Sequence, residues 1–242
     1  MMAENKTQQR GPESVPNASD AALDAQGLSF SYSGGSRVLD GLGLTLGRGE
    51  QMVLKASSGA GKSTLLHLIA GLLEPGSGRV LIDGTEIHRL KGAKRDRFRG
   101  SRIGMIFQTF NLLDGFSALE NVTTAMMFSK IPKAEHDERA RALLKRLGID
   151  RHQAPPQSLS VGQQQRVAVA RAMACRPSLV LADEPTASLD PENASEAVKL
   201  IREVCAEEGA ALLLVSHDPS VAAGFDRVEE LAPAASAAGT GS

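Results

Sequence analysis

A stretch of small residues at 55–64 has the composition of a loop that binds phosphate. It lies between an apolar run at Gln51–Leu54, which predicts a buried strand, and another at Leu65–Ala70, which predicts a helix. Gly59 and Gly61 allow the backbone to turn so that successive N–H groups point into one concavity. The start of the helix adds its partial positive charge at the same place. The stretch therefore predicts an anion site at the tip of a strand.

Lys62 and Ser63 complete the Gly-Lys-Ser sequence of a P-loop. In such a loop the lysine reaches the β- and γ-phosphates of a nucleotide as a point charge, and the serine hydroxyl binds Mg²⁺. Ala56 stands where the P-loop pattern has a glycine. If the backbone there requires a positive φ, the alanine costs about 1 kcal/mol. The alternative for this stretch alone is a glycine-rich loop that only caps a helix. The predicted nucleotide-binding residues of the loop are Ser58, Gly59, Ala60, Gly61, Lys62, Ser63 and Thr64.

Two acidic residues follow a second apolar run and predict the other half of the site. Asp183 comes directly after Leu179–Ala182, and Glu184 comes next. A carboxylate at the carboxyl end of a parallel strand lies beside the P-loop, where it can hold Mg²⁺ directly or through water. Glu184 is in position to polarise an attacking water as a general base. The alternative is a strand that ends in surface acids.

Composition limits the other functions that the chain can have. With 242 residues, of which 42% are apolar, it is long enough for one large domain with a small insertion. The net charge of −1 gives no reason to expect nucleic acid as a partner. Cys175 and Cys205 lie in helical patterns without metal-like spacing and are interpreted as reduced core thiols. No apolar run approaches the roughly 18 residues of a membrane span, and no signal peptide is recognisable, so a role at a membrane requires a partner.

The elements that must position these residues alternate between strand and helix on either side of an all-helical section. This order predicts a mostly parallel, doubly wound α/β sheet with an inserted helical subdomain at about 109–165. Ser117 and Glu120 have the spacing of a capping box at the start of the helical section. We expect 1–22 to be a disordered lead-in, 23–231 to be the folded domain and 232–242 to be a flexible tail.

The run Leu159–Arg166, which reads LSVGQQQR, resembles the signature sequence of the ATP-binding cassette (ABC) ATPases. Gln108, Ser188–Asp190 and His217 match further motifs of that family, and the resemblance covers about 26–231. It implies a P-loop NTPase core with an N-terminal antiparallel β part. It also implies that two cassettes pair head to tail with ATP and Mg²⁺ between them, and that the helix after Ser160 of one copy covers the γ-phosphate held by the other.

The resemblance assigns a role to each remaining candidate residue. Gln108 is implied to sense Mg²⁺ and water and to connect to a membrane partner, and His217 to contact the γ-phosphate. Tyr32, the only tyrosine, is implied to stack on adenine, with a core tyrosine as the alternative. The resemblance thus implies a catalytic set of Glu184, His217 and Gln108 and a metal-binding set of Ser63, Gln108 and Asp183. The residues implied to contact ATP from the second copy are Ser160, Gly162, Gln163 and Asp190.

Val161 departs from the family signature, which has a glycine at this position. A β-branched side chain at the start of the helix would crowd the approach to the γ-phosphate and restrict the local dihedral angles. Val161 and Ala56 would flank the same phosphate, which favours a slow ATPase. The alternative is a weakly active or non-hydrolysing regulatory module.

Within the family, the chain is similar to small stand-alone cassettes of the lipoprotein-release, macrolide-export and cell-division type. The residues that carry this similarity are Gly104–Gln108, Asn111–Leu113, Ala118–Val122 and Leu181–Thr186. The similarity implies a homodimer that drives a separate permease from the cytoplasmic face of the inner membrane, in export or extraction of lipophilic or peptide cargo. A soluble ABC protein of DNA repair or translation is disfavoured, because the separation between Gln108 and Ser160 is too short for a long coiled coil.

Overall fold

The computed structural model describes residues 21–33, 35, 37–57 and 59–232. The predicted nucleotide ligand Ser58, most of the predicted lead-in and most of the predicted tail lie outside these residues. The first described strand begins at Ala21, two residues before the expected start of the folded domain. Ala21 and Ala22 are both buried, and Ala22 belongs to the hydrophobic core. Two small apolar residues gave too weak a signal for a strand.

The described strands are β1 (Ala21–Ser31), β2 (Arg37–Gly47), β3 (Gln51–Lys55), β4 (Ser77–Ile82), β5 (Thr85–Glu86), β6 (Ile103–Ile106), β7 (Leu179–Asp183), β8 (Ala211–Ser216) and β9 (Arg227–Glu230). The described helices are α1 (Lys62–Ile69), α2 (Ala93–Arg102), α3 (Ala118–Ala125), α4 (His136–Arg146), α5 (Val161–Met173), α6 (Pro191–Glu207) and α7 (Pro219–Ala222). Short 3-10 turns lie at Ile87–Arg89, Met126–Phe128, Lys133–Glu135 and Pro156–Ser158.

The strands form two sheets, which confirms the predicted α/β class. One sheet is antiparallel with the order β2-β1-β4-β5, and the other is parallel with the order β6-β7-β8-β3-β9. In the parallel sheet Lys55 pairs with Ser216, and Asp183 pairs with Val215. The carboxyl ends of β3, β7 and β8 therefore reach the same edge, where open α/β sheets bind ligands.

The parallel sheet is buried on both faces, as its apolar runs require. Along β3, Met52 and Leu54 pack into a core shared with α1 and the antiparallel sheet, whereas Val53 packs into a second core with the helices of the opposite face. Cys205 is buried in this second core and Cys175 packs against it. Both are free, and burial raises the pKa of their thiols to about 12 and about 11, which agrees with reduced core thiols.

The helices α3, α4 and α5 lie between β6 and β7, where the helical insertion was predicted. α3 begins at the predicted capping box: the Glu120 N–H donates to Ser117 Oγ at 3.2 Å, and the Ser117 N–H donates to Glu120 Oε2 at 2.7 Å. The predicted subdomain boundary at 165 falls inside α5, which continues to Met173. The reason is that the second half of α5 packs against the parallel sheet, so one helix serves both parts of the domain.

Candidate active site

The loop between β3 and α1 has the geometry of an anion cradle. Gly59 and Gly61 have φ values of 80° and 91°, which favour glycine. At position 61 a Cβ atom would also lie 2.7 Å from Val38 Cγ1, so a side chain is excluded there. Gly61 is the N-cap of α1 and provides no capping side chain, whereas Ser160 caps α5 through its hydroxyl. The first N–H groups of α1 are thus available to an anion.

Ala56 does not strain this loop. Its φ is not positive, so the condition under which an alanine would be costly at this position is not met. The residue is buried, and its N–H donates to the Ser216 carbonyl at 3.4 Å. Its own carbonyl accepts a hydrogen bond from Lys62 Nζ at 3.2 Å. Ala56 therefore helps to position the lysine that follows the loop.

Glu184 lies at the centre of the site and is held by three side chains. Its Oε1 accepts hydrogen bonds from Lys62 Nζ at 2.6 Å and from His217 Nδ1 at 2.7 Å, and its Oε2 accepts one from Ser216 Oγ at 3.2 Å. The residue is only 6% exposed. Burial alone would raise the pKa of Glu184, but the hydrogen bonds and charges of Lys62 and His217 outweigh it and lower the pKa. The carboxylate is therefore charged at neutral pH, as a proton acceptor must be.

The backbone of Glu184 is also unusual. Its φ is 44°, a left-handed conformation that a residue with a long side chain rarely adopts. The Glu184 N–H donates to the Val215 carbonyl at 3.0 Å, which anchors the turn to the neighbouring strand. Strained residues of this kind persist only where the surrounding contacts hold them, and they cluster at functional sites.

A cavity of about 530 Å³ opens beside Glu184. It brings together predicted residues from the P-loop, from β7 and from the segments that follow β1, β6 and β8. Its lining consists of Tyr32, Val38, Gly59, Gly61, Lys62, Ser63, Thr64, Gln108, Asp183, Glu184, Ala187 and His217. Of the predicted loop residues, Ala60 does not line this cavity, because it is buried and its N–H donates to the Ser57 carbonyl at 3.2 Å.

Tyr32 lies at the edge of this cavity, and the alternative of a core tyrosine is wrong. The residue is 51% exposed. Its hydroxyl forms a 3.0 Å hydrogen bond with Thr64 Oγ1, and its ring meets Phe30 edge-to-face at 4.9 Å between centroids. These two contacts fix an exposed aromatic ring next to the phosphate cradle, where it could stack on a base.

The four residues assigned to a second copy do not line this cavity. Ser160 caps α5, since its Oγ accepts from the Gln163 N–H at 3.3 Å and the Ser160 N–H donates to Gln163 Oε1 at 3.0 Å. Asp190 caps α6 by accepting from the Asn193 N–H at 3.0 Å, a hydrogen bond that lowers the pKa of Asp190. Ser160 and Asp190 are exposed, and Gly162 lies in the first turn of α5. Within one chain these groups therefore have local structural roles.

The donor set fits Mg²⁺ better than a metal held by protein alone. Among the residues that the structure describes, there is no group of three or more His, Cys, Asp or Glu side chains that could hold a metal ion. Ser63, Gln108 and Asp183 do line one cavity, which supplies a hydroxyl, an amide oxygen and a carboxylate. Mg²⁺ typically takes one or two carboxylates together with phosphate oxygens and waters.

Ser216 is the functional candidate that the sequence reasoning missed. Its hydroxyl contacts Glu184 and also accepts the Asp218 N–H at 3.1 Å, while the residue is only 1% exposed. The available signal was a polar residue that ends the apolar run of β8 directly before His217. Val38 and Ala187 also line the cavity and were not predicted.

A P-loop at the carboxyl edge of a parallel sheet, facing an acidic pair on a neighbouring strand, defines a nucleotide-binding protein of the P-loop class. A family model described as "ABC transporter" matches residues 39–187. The chain belongs to the ABC transporter family and is an ATP-binding ATPase cassette. The resemblance found in the sequence is thus confirmed.

Individual relatives and solved structures agree with this assignment. The lipoprotein-releasing system ATP-binding protein LolD of Shewanella sp. strain MR-4 is 40% identical, over 86% of this chain and 92% of its own. LolD 1 of Caulobacter vibrioides is 45% identical over 83% and 88%. The bacterial cassette MJ0796, solved as a dimer in a post-hydrolysis state with ADP and Pi, superposes with a TM-score of 0.77 at 33% identity, covering 86% of this chain and 94% of that one.

Whether Ala56 strains the loop can be tested by substitution. Because φ at position 56 is not positive, Ala56→Gly is expected to destabilise the fold by about 1 kcal/mol through lost burial and a more flexible unfolded chain. At Gly49, where φ is 67° and a Cβ meets nothing within 4 Å, the opposite exchange to alanine is expected to cost a similar amount. Urea unfolding measures both. A more stable Ala56→Gly variant would restore the strain argument.

The charge on Glu184 predicts a pH-dependent contribution to stability. Because its pKa is lowered by folding, its contribution is present above the unfolded pKa of about 4.3 and is lost as the pH falls through the folded value. Glu184→Gln is therefore expected to cost about 2 kcal/mol at pH 7 and clearly less below pH 4. Urea titrations at both pH values check this, with Glu138→Gln on the exposed side of α4 as control. An equal cost at both pH values would contradict the assignment.

Proposed function

We propose that the chain is the ATP-hydrolysing subunit of a transporter and that it drives a separate permease through ATP-dependent, head-to-tail dimerisation. The observation that carries the proposal is the convergence of Lys62, Asp183, Glu184 and His217 on one cavity beside the uncapped start of α1. Phosphoryl transfer to water requires a cationic side chain, a metal-binding carboxylate, a charged base and a helix N-terminus.

The roles of the residues follow from these contacts. Lys62 and the N–H groups at the start of α1 hold the β- and γ-phosphates, so Lys62 exchanges its contact with Glu184 for one with phosphate. Ser63, Asp183 and Gln108 hold Mg²⁺, which neutralises phosphate charge when bound. Glu184 orients the attacking water and accepts its proton as the water oxygen bonds to the γ-phosphorus and the bond to ADP breaks. His217 and Ser216 keep the Glu184 carboxylate in place, and His217 is also close enough to the cavity to contact the γ-phosphate.

The proposed dimer gives a function to the residues that do not face their own cavity. Ser160, Gly162, Gln163 and Asp190 lie at the starts of α5 and α6, and the N-terminus of a helix favours an anion. In a head-to-tail dimer, the N-termini of α5 and α6 of one copy would lie over the γ-phosphate bound by the other copy. The dimeric arrangement of the similar cassette MJ0796 supports this proposal.

The permease and the cargo are proposed from the relatives. The names of the LolD relatives describe a lipoprotein-releasing system, and the similar structure of cbiO1 from Clostridium perfringens (35% identity, TM-score 0.73, 82% of this chain and 79% of that one) is described as part of the transporter complex cbiONQ. Across the described residues no helix is long and apolar enough to cross a membrane. From the names of these relatives we propose that the chain acts on the cytoplasmic face of the inner membrane, bound to a separate permease that exports or extracts lipophilic or peptide cargo.

A nucleotide-dependent module that does not hydrolyse ATP is the second candidate. Val161 favours it, because this side chain is 48% exposed at the first position of α5, on the surface that would meet a second copy. Ala56 does not favour a module without hydrolysis, because its φ is not positive. Glu184, held charged beside the cavity, favours the ATPase.

Replacing the proposed base should trap the dimer. Glu184→Gln keeps Lys62 and the cradle, so MgATP should bind, remain intact and hold two copies together on size exclusion. The double variant Lys62→Ala/Glu184→Gln should remain monomeric, because loss of the charged hydrogen bonds costs about 3 kcal/mol, or about 100-fold in affinity. Lys199→Ala, an exposed lysine on α6, serves as the charge control.

The same samples separate the two candidate functions. Wild-type protein should release phosphate in a Mg²⁺-dependent reaction, and Glu184→Gln should not. A Glu184→Gln variant that stays monomeric in saturating MgATP would contradict the proposed dimer. Equal phosphate release by both proteins, measured with the permease present, would leave only the binding role.

Val161→Gly tests whether this side chain slows the reaction. If crowding at the γ-phosphate costs about 1 kcal/mol, its removal should raise kcat about fivefold. The measurement is steady-state phosphate release at saturating MgATP, with Val228→Gly on the exposed side of β9 as a control for an exposed valine remote from α5. Unchanged or lower turnover in Val161→Gly would count against crowding.

A further inference from the structure

The loop that carries Gln108 contains a strained turn. The two residues at its tip, Phe110 and Asn111, have φ values of 57° and 49°. This left-handed conformation is unfavourable for a bulky residue such as Phe110, which is also buried. The Asn111 N–H donates to the Thr109 carbonyl at 2.6 Å, and Thr109 Oγ1 donates to Asn111 Oδ1 at 2.9 Å. A turn of this kind needs support from outside the loop.

Arg171, in the last part of α5, supplies that support. Its guanidinium donates to the carbonyl of Phe110 at 2.6 Å and also to the carbonyl of Asn111. A planar guanidinium can bridge two adjacent acceptors with separate N–H groups, which an ammonium does less well. Burial lowers the pKa of the Arg171 guanidinium. The two hydrogen bonds to the turn position this side chain.

The turn begins two residues after Gln108 and does not itself line the proposed ATP site. Gln108 lines the cavity, whereas Arg171 does not. The Gln108 carbonyl accepts a 3.4 Å hydrogen bond from Ser188 Oγ, so the loop is tied on one side to the segment after Glu184 and on the other to α5. α5 begins at the Ser160 capping box, about 16 Å along the helix from Arg171.

From these contacts we infer that Arg171 is a positioning residue for Gln108: it holds the left-handed turn at Phe110 and Asn111 and so keeps Gln108 at the cavity. The inference rests on the proposed function, in which Gln108 acts in ATP hydrolysis. Without Arg171 the turn relaxes toward right-handed backbone conformations, and Gln108 leaves its place although the P-loop and Glu184 are unchanged.

The chain offers a matched control on the neighbouring helix. Arg139 of α4 also donates to two carbonyls, those of Ala174 at 2.6 Å and Met173 at 2.9 Å, but it does not contact the Gln108 loop. Arg171→Met and Arg139→Met should therefore both lower the thermal midpoint. Only Arg171→Met should speed amide hydrogen exchange of residues 107–113, by about tenfold or more, at a temperature where both variants are folded. Equal exchange in the two variants, or exchange at the wild-type rate in Arg171→Met, would overturn the inference.

Kinetics test whether the effect on the reaction passes through Gln108. Arg171→Met should lower kcat about tenfold while leaving the KM for ATP nearly unchanged, and Arg171→Lys should recover part of the loss. In a Gln108→Ala background, Arg171→Met should have no further effect on kcat. The same fold-loss in both backgrounds would overturn the inference. If wild-type protein hydrolyses no ATP, the proposed function fails, and the exchange comparison still decides the role of Arg171 at the turn.

Discussion

The structure of this site depends on one buried negative charge. Glu184 is 6% exposed, and its carboxylate is stable there because Lys62, His217 and Ser216 all donate to it. Leaving a buried charge without partners would cost several kcal/mol, so these donors cannot be removed without consequence. They come from two segments distant in sequence, the P-loop helix and the end of β8, which the parallel register brings to the end of β7. One carboxylate thus connects three motifs that the sheet brings together.

Lys62 has two alternative anionic partners, the Glu184 carboxylate and a bound phosphate. Lys62 contacts Glu184 and the Ala56 carbonyl, and a triphosphate in the cradle would offer it a third acceptor with more negative charge. The exchange would leave His217 on Oε1 and Ser216 on Oε2 of Glu184, and the acceptor position that Lys62 vacates on Oε1 would be open to a proton from water. Under the proposed function, binding of the substrate and release of the base would thus be a single electrostatic event.

Much of this arrangement could be predicted from the sequence, because parallel strands carry their functional residues at their carboxyl ends. The apolar runs before Lys62, Asp183 and His217 were sufficient to place all three at one edge. The backbone angle at Ala56 was not predictable, since a sequence pattern does not report φ. Ser216 and Arg171 were missed as contacts because their partners lie 32 and 60 or 61 residues away in the chain. The start of β1 at Ala21 was not predictable, because Ala21 and Ala22 have little hydrophobic contrast with the polar residues before them.

A crystal structure of Glu184→Gln with MgATP would show whether Lys62 exchanges Glu184 for phosphate. We expect the triphosphate in the cradle formed by the start of α1, with Lys62 turned from residue 184 to the γ-phosphate. We also expect Ser160 of a second copy on the opposite side of that phosphate. A triphosphate bound elsewhere, or Lys62 still in contact with residue 184 while ATP is bound, would rule out this exchange.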